Sequence, residues 1–338
     1  MKALVVCTGG GIGDVLLATP VMRALGTRYE HVVALTAPRH RDVLANQTLL
    51  SEVWVDEGGF AAQAARIAAY GFDAAVVTWA TLRSAALPFV GRIPLRAGQA
   101  RRTYSALFNR RVVVRSERGD RDSHWTQILL DFARALDCDT DDATPAFPLD
   151  PRAYAEAADV LAAVHVDAAA PFALLHPTRG IAAARARWPT ARLGELGRAL
   201  GEVCGARVLV TGAADDAAIA ERVARDAGGT SIAGRTSLGA FGALAARARV
   251  VVAMDSGPMH VAAAVGAPTV GIFALASDEP RRWAPLGPRT AVVTGTYPCP
   301  PAHRKETCPD FACIANLDVA RVIDAVGGLL RGGTELPA

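Results

Sequence analysis

Long apolar runs are missing from this 338-residue chain, and so is a strong excess of charge of either sign. A membrane-spanning helix needs about 20 consecutive apolar residues, and no run approaches that length. The stretch Met1–Cys7 is too short for the apolar core of a signal peptide and ends at glycines. A formal net charge of +3 does not indicate a polyanion as the partner of the whole chain. The sequence therefore predicts a cytoplasmic protein.

Lysine is scarce throughout, and acidic residues are absent from one long segment. Lys2 and Lys305 are the only lysines, which we attribute to a biased genome composition. No acidic residue occurs in the segment 74–116. The same segment contains eight arginines, namely Arg83, Arg92, Arg96, Arg101, Arg102, Arg110, Arg111 and Arg115. Because exposed surfaces usually mix charges of both signs, the segment predicts a multiply anionic partner.

Two kinds of anionic partner fit this segment. Nucleic acid would match the charge, but Tyr104 and Phe108 are few aromatic side chains for the stacking of bases, so no nucleic-acid partner is expected. A phosphorylated glycolipid fits the charge equally well and needs no such platform. A basic loop without a function is the remaining alternative.

A glycine-rich turn lies close to the N-terminus, between a predicted strand at residues 3–7 and a predicted helix at 15–25. Glycines in such a turn let the backbone approach a ligand closely. Gly9, Gly11 and Gly13 do not form the dinucleotide fingerprint G-x-G-x-x-G, and no acidic residue ends the next strand. Asp14 lies in the first helical turn, at the edge where open α/β sheets bind ligands. Helix capping is its alternative role.

A similar unit of strand, turn, helix and strand occupies residues 250–273, with its turn and helix beginning at Asp255. The apolar run 250–254 predicts a strand, and a second strand is predicted over 269–273. Gly266 lies where a left-handed residue would end the helix between them.

The start of this helix has the features of an anion site. Asp255, Ser256 and Gly257 are helix-start residues, and Pro258 falls in the first turn. The turn directs backbone N–H groups and a positive helix end to one point, which suits a phosphate. Asp255 and His260 flank that point. A plain strand–helix–strand crossover with a good cap is the alternative.

Strands and helices alternate along the whole chain. Strands are predicted at 31–36, 52–55, 73–78, 112–115, 172–176 and 207–211. Helices are predicted at 38–45, 59–70, 151–164, 237–248 and 317–330, the last of them capped by Asn316. One further helix is predicted to begin at Pro189, and another to end near Ala227. This order predicts the α/β class, with a doubly wound parallel sheet in each half. The acidic, proline-broken segment 137–150 is predicted to be the linker.

Metal chemistry has weak support in the sequence. Asp139 and Asp141 form a D-x-D pair, but they lie in the predicted linker. Near the C-terminus, Cys299, His303, Cys308 and Cys313 follow the spacing C-x3-H-x4-C-x4-C. Zinc sites usually have closer pairs, so packed or redox-active thiols are favoured over a metal site. We expect no cofactor and no metal.

Two motifs together resemble those of glycosyltransferase family 9, the ADP-heptose:lipopolysaccharide heptosyltransferases. The first is Gly-Gly-Ile-Gly-Asp14-Val-Leu-Leu-Ala-Thr-Pro20, and the second is Asp255-Ser-Gly-Pro-Met-His260. Thr-Leu-Arg-Ser-Ala-Ala-Leu-Pro-Phe from Thr81, Ile-Pro-Leu-Arg-Ala-Gly from Ile93, the pair Trp188-Pro189 and the cysteine-containing tail add to the likeness. The resemblance covers nearly the whole chain.

The resemblance implies a GT-B architecture of two Rossmann-like domains that face a central cleft. The expected boundaries are 1–150 for an acceptor-binding domain, 151–315 for a nucleotide-sugar-binding domain, and 316–338 for a helix that returns to the first domain. The resemblance also implies an inverting, metal-independent transfer of heptose from ADP-heptose to a phosphorylated inner-core acceptor of lipopolysaccharide. Peripheral contact with the inner membrane is compatible with such an acceptor.

The resemblance also assigns roles to residues. Asp14 is the expected catalytic base. Donor binding is expected of Thr178, Arg185, Arg187, Asp216, Asp255, Ser256, Gly257 and His260. Acceptor binding is expected of Gly11, Gly13, Arg83, Arg101 and Arg102.

Two positions depart from the family pattern. Ala186 stands where a lysine is common, between Arg185 and Arg187, so either arginine could serve the donor phosphate. Cys7 and Thr8 stand where an arginine is common. A transferase or epimerase using another nucleotide sugar, and an inactive nucleotide-sugar-binding protein, therefore remain as alternatives.

Overall fold

The computed structural model describes residues 1–178, 188–273, 280–298, 308 and 311–332. The chain forms two units, Met1–Pro148 and Leu149–Ala338, and the boundary lies inside the acidic segment 137–150. Each unit is built on one six-stranded sheet. None of the described helices is long and apolar enough to cross a membrane.

The first sheet is parallel throughout, in the order β3-β2-β1-β4-β5-β6. Its strands are β1 (Lys2–Cys7), β2 (His31–Thr36), β3 (Glu52–Val55), β4 (Ala74–Val77), β5 (Leu95–Gln99) and β6 (Arg110–Val112). The helices of this unit are α1 (Ile12–Leu16), α2 (Thr19–Gly26), α3 (Arg41–Leu44), α4 (Phe60–Tyr70), α5 (Leu82–Val90) and α6 (Trp125–Arg134). Strand order reverses between β1 and β4, so ligands are expected beyond the carboxyl ends of these two strands.

The predicted helix 15–25 is two helices, α1 and α2. Pro20 lacks an N–H group, and its ring would clash with the carbonyl of Leu16 in a continuous helix. The Thr19 hydroxyl donates to Leu16 O instead, at 2.8 Å. The chain therefore restarts at Thr19, and α1 remains a short element that holds Asp14.

The edge of the first sheet also differs from the prediction. The strand expected at 112–115 is β6, which pairs with β5 through Ala97 and Arg110 and ends at Val112. Arg115 begins a short 3-10 turn instead. Its guanidinium makes two hydrogen bonds with the Asp131 carboxylate of α6, at 2.7 and 2.8 Å, which holds the chain out of the sheet.

The second sheet repeats the first. Its parallel strands follow the order β12-β11-β10-β7-β8-β9, which matches the first sheet when the six strands are counted from β7. They are β7 (Phe172–His176), β8 (Arg207–Val210), β9 (Thr230–Ser231), β10 (Val251–Met254), β11 (Thr269–Phe273) and β12 (Thr290–Thr294). The helices described are α7 (Pro151–Ala163), α8 (Thr190–Cys204), α9 (Ala217–Ala227), α10 (Leu238–Arg247), α11 (Gly257–Ala264), α12 (Pro280–Trp283), α13 (Ala312–Ala315) and α14 (Val319–Leu330). The point of reversal here lies between β7 and β10.

The last helix, α14, packs within the second unit. Val319, Val322 and Val326 are buried in the same apolar core as Leu196 of α8. Asp318 caps this helix by accepting the Ala320 N–H at 3.0 Å, so the predicted cap at Asn316 is wrong. The predicted return of the segment 316–338 to the first domain stays a prediction.

Candidate active site

The turn after β1 holds Asp14 in a defined place. Gly11 precedes α1, and its N–H donates to Asp14 Oδ2 at 2.7 Å. Burial raises the pKa of Asp14, and the bond from Gly11 opposes that rise only in part. A carboxylate with a raised pKa is a stronger base than an ordinary aspartate. The fold thus places a basic carboxylate at the carboxyl end of the central strand.

Gly10 and Gly9 let other groups approach this turn closely. Gly10 has φ +74°, and a Cβ there would lie 2.5 Å from Asp14 Oδ2. A Cβ on Gly9 would lie 2.0 Å from Cδ1 of Trp79, so the indole ring lies directly against the Gly9 backbone. Trp79 follows β4, which is hydrogen-bonded to β1. The turn is therefore enclosed by a side chain from the neighbouring strand end.

A second side chain reaches the same turn from β2. Arg39 donates from Nη2 to Gly10 O at 3.2 Å and from Nε to His40 Nε2 at 3.1 Å. Burial lowers the pKa of His40, and the neighbouring Arg39 charge adds to that effect. Neither Arg39 nor Trp79 was predicted from the sequence to be a site residue. Their position directly after predicted strands was the available signal.

The arginine-rich segment 74–116 is less one-sided in three dimensions than in sequence, because acidic partners come from outside it. Arg83 binds Asp56 through Nε and Nη2, at 3.0 and 2.7 Å. Arg102 pairs with Glu117 at 3.0 Å. Together with Arg115, three of the eight arginines thus make ion pairs with described residues. Arg101 donates to the backbone oxygen of Glu117 at 3.3 Å, so it lies beside Arg102.

In the second unit, a buried histidine organises the end of β7. His176 Nδ1 lies 2.9 Å from Thr211 Oγ1, and its Nε2 lies 3.2 Å from Thr178 Oγ1. Burial lowers the pKa of His176 from 6.5 to about 4, and the Asp216 charge opposes the shift only in part. The imidazole is therefore neutral near pH 7 and can fix the orientation of the Thr178 hydroxyl. His176 was missed in the sequence, although it ends a predicted strand.

The helix after β10 begins where the sequence predicted, but without a cap from the Ser256 side chain. Ser256 occupies the cap position of α11, and Pro258 lies in its first turn. The Ser256 hydroxyl donates to Met254 O at 2.8 Å rather than capping the helix. Ser256 and His260 are both buried, at 7% and 5% exposure. Since β10 pairs with β7, this helix start and Thr178 follow adjacent strand ends.

Some of the remaining predicted residues lie in the described part of the chain, and others lie outside it. Asp216 ends a short 3-10 turn at the start of α9, close enough to His176 to affect its pKa. Arg185 and Arg187 lie outside the described residues. Cys299 and His303 do as well, whereas the Phe311 N–H donates to Cys308 Sγ at 3.3 Å and Cys313 is buried in the apolar core. Over the described part of the chain, no group of His, Cys, Asp and Glu is arranged to hold a metal ion.

The low pKa of His176 predicts a pH-dependent stability. Above pH 6.5 neither the folded nor the unfolded state is protonated at this site, and the full stability is present. Between pH 6.5 and 4 only the unfolded state takes up the proton, so stability falls as the pH falls. We expect His176 to account for about 2 kcal/mol of lost stability between pH 7.5 and 5. Urea unfolding of the wild type and of His176→Asn at both pH values measures it. Equal pH dependence in both proteins would contradict the buried neutral imidazole.

Two Rossmann-like units with the same strand order define the GT-B class of α/β proteins. The family model of glycosyltransferase family 9 (heptosyltransferase) matches residues 61–310, which is well over half of the chain. The protein therefore belongs to glycosyltransferase family 9 and is a glycosyltransferase. The Asp14 turn lies before the matched range.

Solved structures agree on the fold. A family 9 glycosyltransferase from Veillonella parvula has 18% identity and a TM-score of 0.80, over 98% of this chain and 97% of its own. ADP-heptose lipopolysaccharide heptosyltransferase II from E. coli has 21% identity and a TM-score of 0.79, over 98% and 99%. E. coli heptosyltransferase WaaC with ADP has 19% identity and a TM-score of 0.66, over 87% and 93%. No curated protein sequence matches the chain significantly.

Proposed function

We propose that the protein transfers heptose from ADP-heptose to a phosphorylated lipopolysaccharide inner-core acceptor, with inversion at the anomeric carbon and without a metal ion. The observation that carries this proposal is the Asp14 carboxylate, which is held by Gly11 in the first turn of α1 and has a raised pKa. Membership of family 9 supports glycosyl transfer as the reaction. The ADP in the similar E. coli heptosyltransferase supports an ADP-containing donor.

In the proposed mechanism, Asp14 removes the proton from the acceptor hydroxyl. The hydroxyl oxygen forms a bond to the anomeric carbon of the heptose, while the bond from that carbon to the phosphate oxygen breaks and ADP leaves. Attack on the face opposite to the leaving group inverts the anomeric centre. A carboxylate is suited to this step because it takes up the proton as the new bond forms.

The departing diphosphate needs stabilisation of its negative charge. The backbone N–H groups of Gly257 and Met259 in the first turn of α11 supply this stabilisation, since Pro258 has none and the Ser256 side chain does not cap the helix. Thr178, oriented by His176, is a second donor at the adjacent strand end. His260, together with Arg185 or Arg187, completes the clamp and takes the place of a metal ion. Asp216 and Asp255 bind the hydroxyl groups of the nucleotide ribose and of the sugar.

The acceptor is assigned to the first unit. Gly11 and Gly13 line the turn that holds Asp14, and the exposed Arg101 is a cation for the acceptor phosphates. Arg102 beside it is also exposed but shares its charge with Glu117 at 3.0 Å. Arg83 contributes less, because its Nε and Nη2 are bound to Asp56. Since the acceptor carries lipid chains, peripheral contact with the cytoplasmic face of the inner membrane accompanies the reaction.

Turnover with a panel of nucleotide sugars tests this function. ADP-heptose should be the preferred donor, and excess EDTA should leave the rate unchanged, because backbone N–H groups and arginines hold the diphosphate. ADP-heptose should also raise the melting temperature, since a ligand that binds the native state stabilises it. Preference for another nucleotide sugar, or a strict need for added divalent metal, would contradict the proposal. Binding without turnover would indicate the inactive alternative.

A further inference from the structure

The exposed apolar side chains of the first unit are concentrated on one short segment. Within Met1–Pro148, all of which is described, the strongly exposed large apolar residues are Met1, Trp79, Leu82, Phe89 and Val90. Leu82 exposes 68% of its surface, Phe89 48% and Val90 49%. Exposed apolar residues that are scattered singly are ordinary, but a contiguous group marks an interaction surface.

Helical geometry makes this group continuous. Leu82, Ala86, Phe89 and Val90 of α5 are related by i, i+4, i+7 and i+8 spacing, so they form one stripe about 100° wide. The other sides of α5 are buried through Ser84, Ala85, Leu87 and Pro88, and Ala85 and Leu87 belong to the core of the first unit. The outward stripe is therefore a second apolar face, which the core does not need.

Positive charge borders this stripe. Arg92 follows the helix directly and is exposed, and the Arg96 guanidinium lies 5.3 Å from the centre of the Phe89 ring. The segment 74–116 contributes no acidic residue. The nearby Asp56 carboxylate is neutralised by its two hydrogen bonds with Arg83. The segment that carries this face thus contributes apolar side chains and cations and no acidic residue.

Arg92 occupies a backbone position that favours glycine. The Ile93 N–H donates to Pro88 O and the Arg92 N–H to Phe89 O, both at 3.0 Å, which is the Schellman arrangement at a helix end. Its left-handed residue is Arg92, with φ +58°. A non-glycine residue in this conformation is strained. An arginine here gives up backbone stability and places a cation beside the apolar stripe.

We propose that α5 docks on an anionic lipid bilayer, with Leu82, Phe89 and Val90 among the lipid head groups and the exposed Arg92 on a lipid phosphate. Arg96, whose Nε and Nη1 donate to the backbone oxygens of Leu107 and Ile93, adds positive charge beside Phe89. A helix with an apolar face bordered by basic residues is the usual structure for binding in the plane of such an interface. The choice of a bilayer over a protein partner rests on the lipid-linked acceptor of the proposed function. Trp79, just before α5, lies against the Asp14 turn, so the docked face leads to the catalytic base.

Vesicle flotation tests this surface without any catalytic step. The protein should float with vesicles of equal parts phosphatidylcholine and phosphatidylglycerol, bind pure phosphatidylcholine much less, and dissociate as salt is added. Leu82→Ser with Phe89→Ser should weaken binding roughly 10-fold or more, because two apolar side chains no longer enter the interface. Tyr154→Ser with Val203→Ser is the matched control, since these residues of the second unit are also exposed, at 44% and 39%. An equal loss in the control pair, or no binding by the wild type, would overturn the proposal.

Arg92→Gly separates docking from folding. Glycine relieves the left-handed strain, so the variant should be at least as stable as the wild type in urea, while its vesicle binding becomes weaker. If Arg92 had a structural role, Arg92→Gly would lower the stability in urea together with vesicle binding, and this result would count against the proposal.

Turnover with a deacylated, water-soluble acceptor separates docking from catalysis. The Leu82→Ser, Phe89→Ser variant should keep the wild-type kcat/KM on that acceptor while it loses vesicle binding. Lost turnover with retained vesicle binding would make the face a substrate site and overturn the docking proposal. A wild-type dimer that the variant dissociates, without vesicle binding, would assign the face to a second copy. Failure of the proposed function is recognised differently, as vesicle binding without heptosyl transfer.

Discussion

Replacing Asp14 by asparagine is expected to lower turnover by about 100-fold or more, the usual contribution of a general base. Asparagine retains an oxygen that can accept the Gly11 N–H, so the turn and the start of α1 should keep their geometry. It does not retain a group that takes up a proton. Steady-state kinetics and a calorimetric measurement of donor binding distinguish a loss of the base from a loss of donor binding. Donor affinity should remain close to that of the wild type.

Asp42→Asn is a suitable control for this variant. Asp42 also lies in the first turn of a helix of the first unit, α3, but it is exposed and outside the candidate site. Its substitution should leave turnover unchanged. Near-normal turnover in Asp14→Asn, or an equal loss in both variants, would show that Asp14 is not the base.

The raised pKa of Asp14 also affects the pH dependence of the wild-type rate and the stability of the variant. Burial raises the pKa of Asp14 above its usual 3.8, so the wild-type rate should fall on the acidic side at a higher pH than for an ordinary aspartate. A carboxyl group whose folded pKa is raised also costs stability once it ionises, because the unfolded state ionises more readily. Asp14→Asn should therefore be at least as stable as the wild type at neutral pH. Such a result would indicate that the carboxylate is present for function.

The sequence predicted the central strands well because their side chains are apolar on both faces. β1 and β7 lie in the middle of their sheets and are nearly continuous apolar runs, as buried parallel strands usually are. β5 was missed because Arg96, Gly98 and Gln99 interrupt its pattern. α5 was missed as a helix because Pro88 lies inside it. Near the helix end, the ring of Pro88 disturbs only the last turn.

The candidate site was predicted only where its residues are close in sequence. Asp14 and Gly11 belong to one turn, as do Ser256 and Gly257 in the second unit. Arg39 and Trp79 reach the Asp14 turn from other strand ends, and only the order β2-β1-β4 brings these ends together. The alternation of strands and helices does not specify that order. Interactions between separate turns therefore had to come from the structure.

Gly10→Ala is expected to abolish most activity, because it forces the Asp14 carboxylate, the proposed base, to move. The new Cβ would lie 2.5 Å from Asp14 Oδ2 and 2.6 Å from its Cγ, which is closer than real contacts allow. A displacement of about 1 Å at a reacting group can cost roughly 100-fold in rate. The left-handed φ of +74° at Gly10 adds backbone strain.

Two alanine variants separate these effects. Gly58→Ala combines a left-handed φ of +90° with no atom within 4 Å of the new Cβ, outside the candidate site, so it should keep its turnover. Gly119→Ala has a similar strain at φ +86° but no atom within 4 Å of the new Cβ, so it should lose some stability and keep its turnover. Turnover and urea unfolding of all three variants show whether the contact with Asp14 or the backbone strain causes the loss of activity. If Gly10→Ala were no less active than Gly119→Ala, the close approach of Gly10 to Asp14 would have no catalytic role.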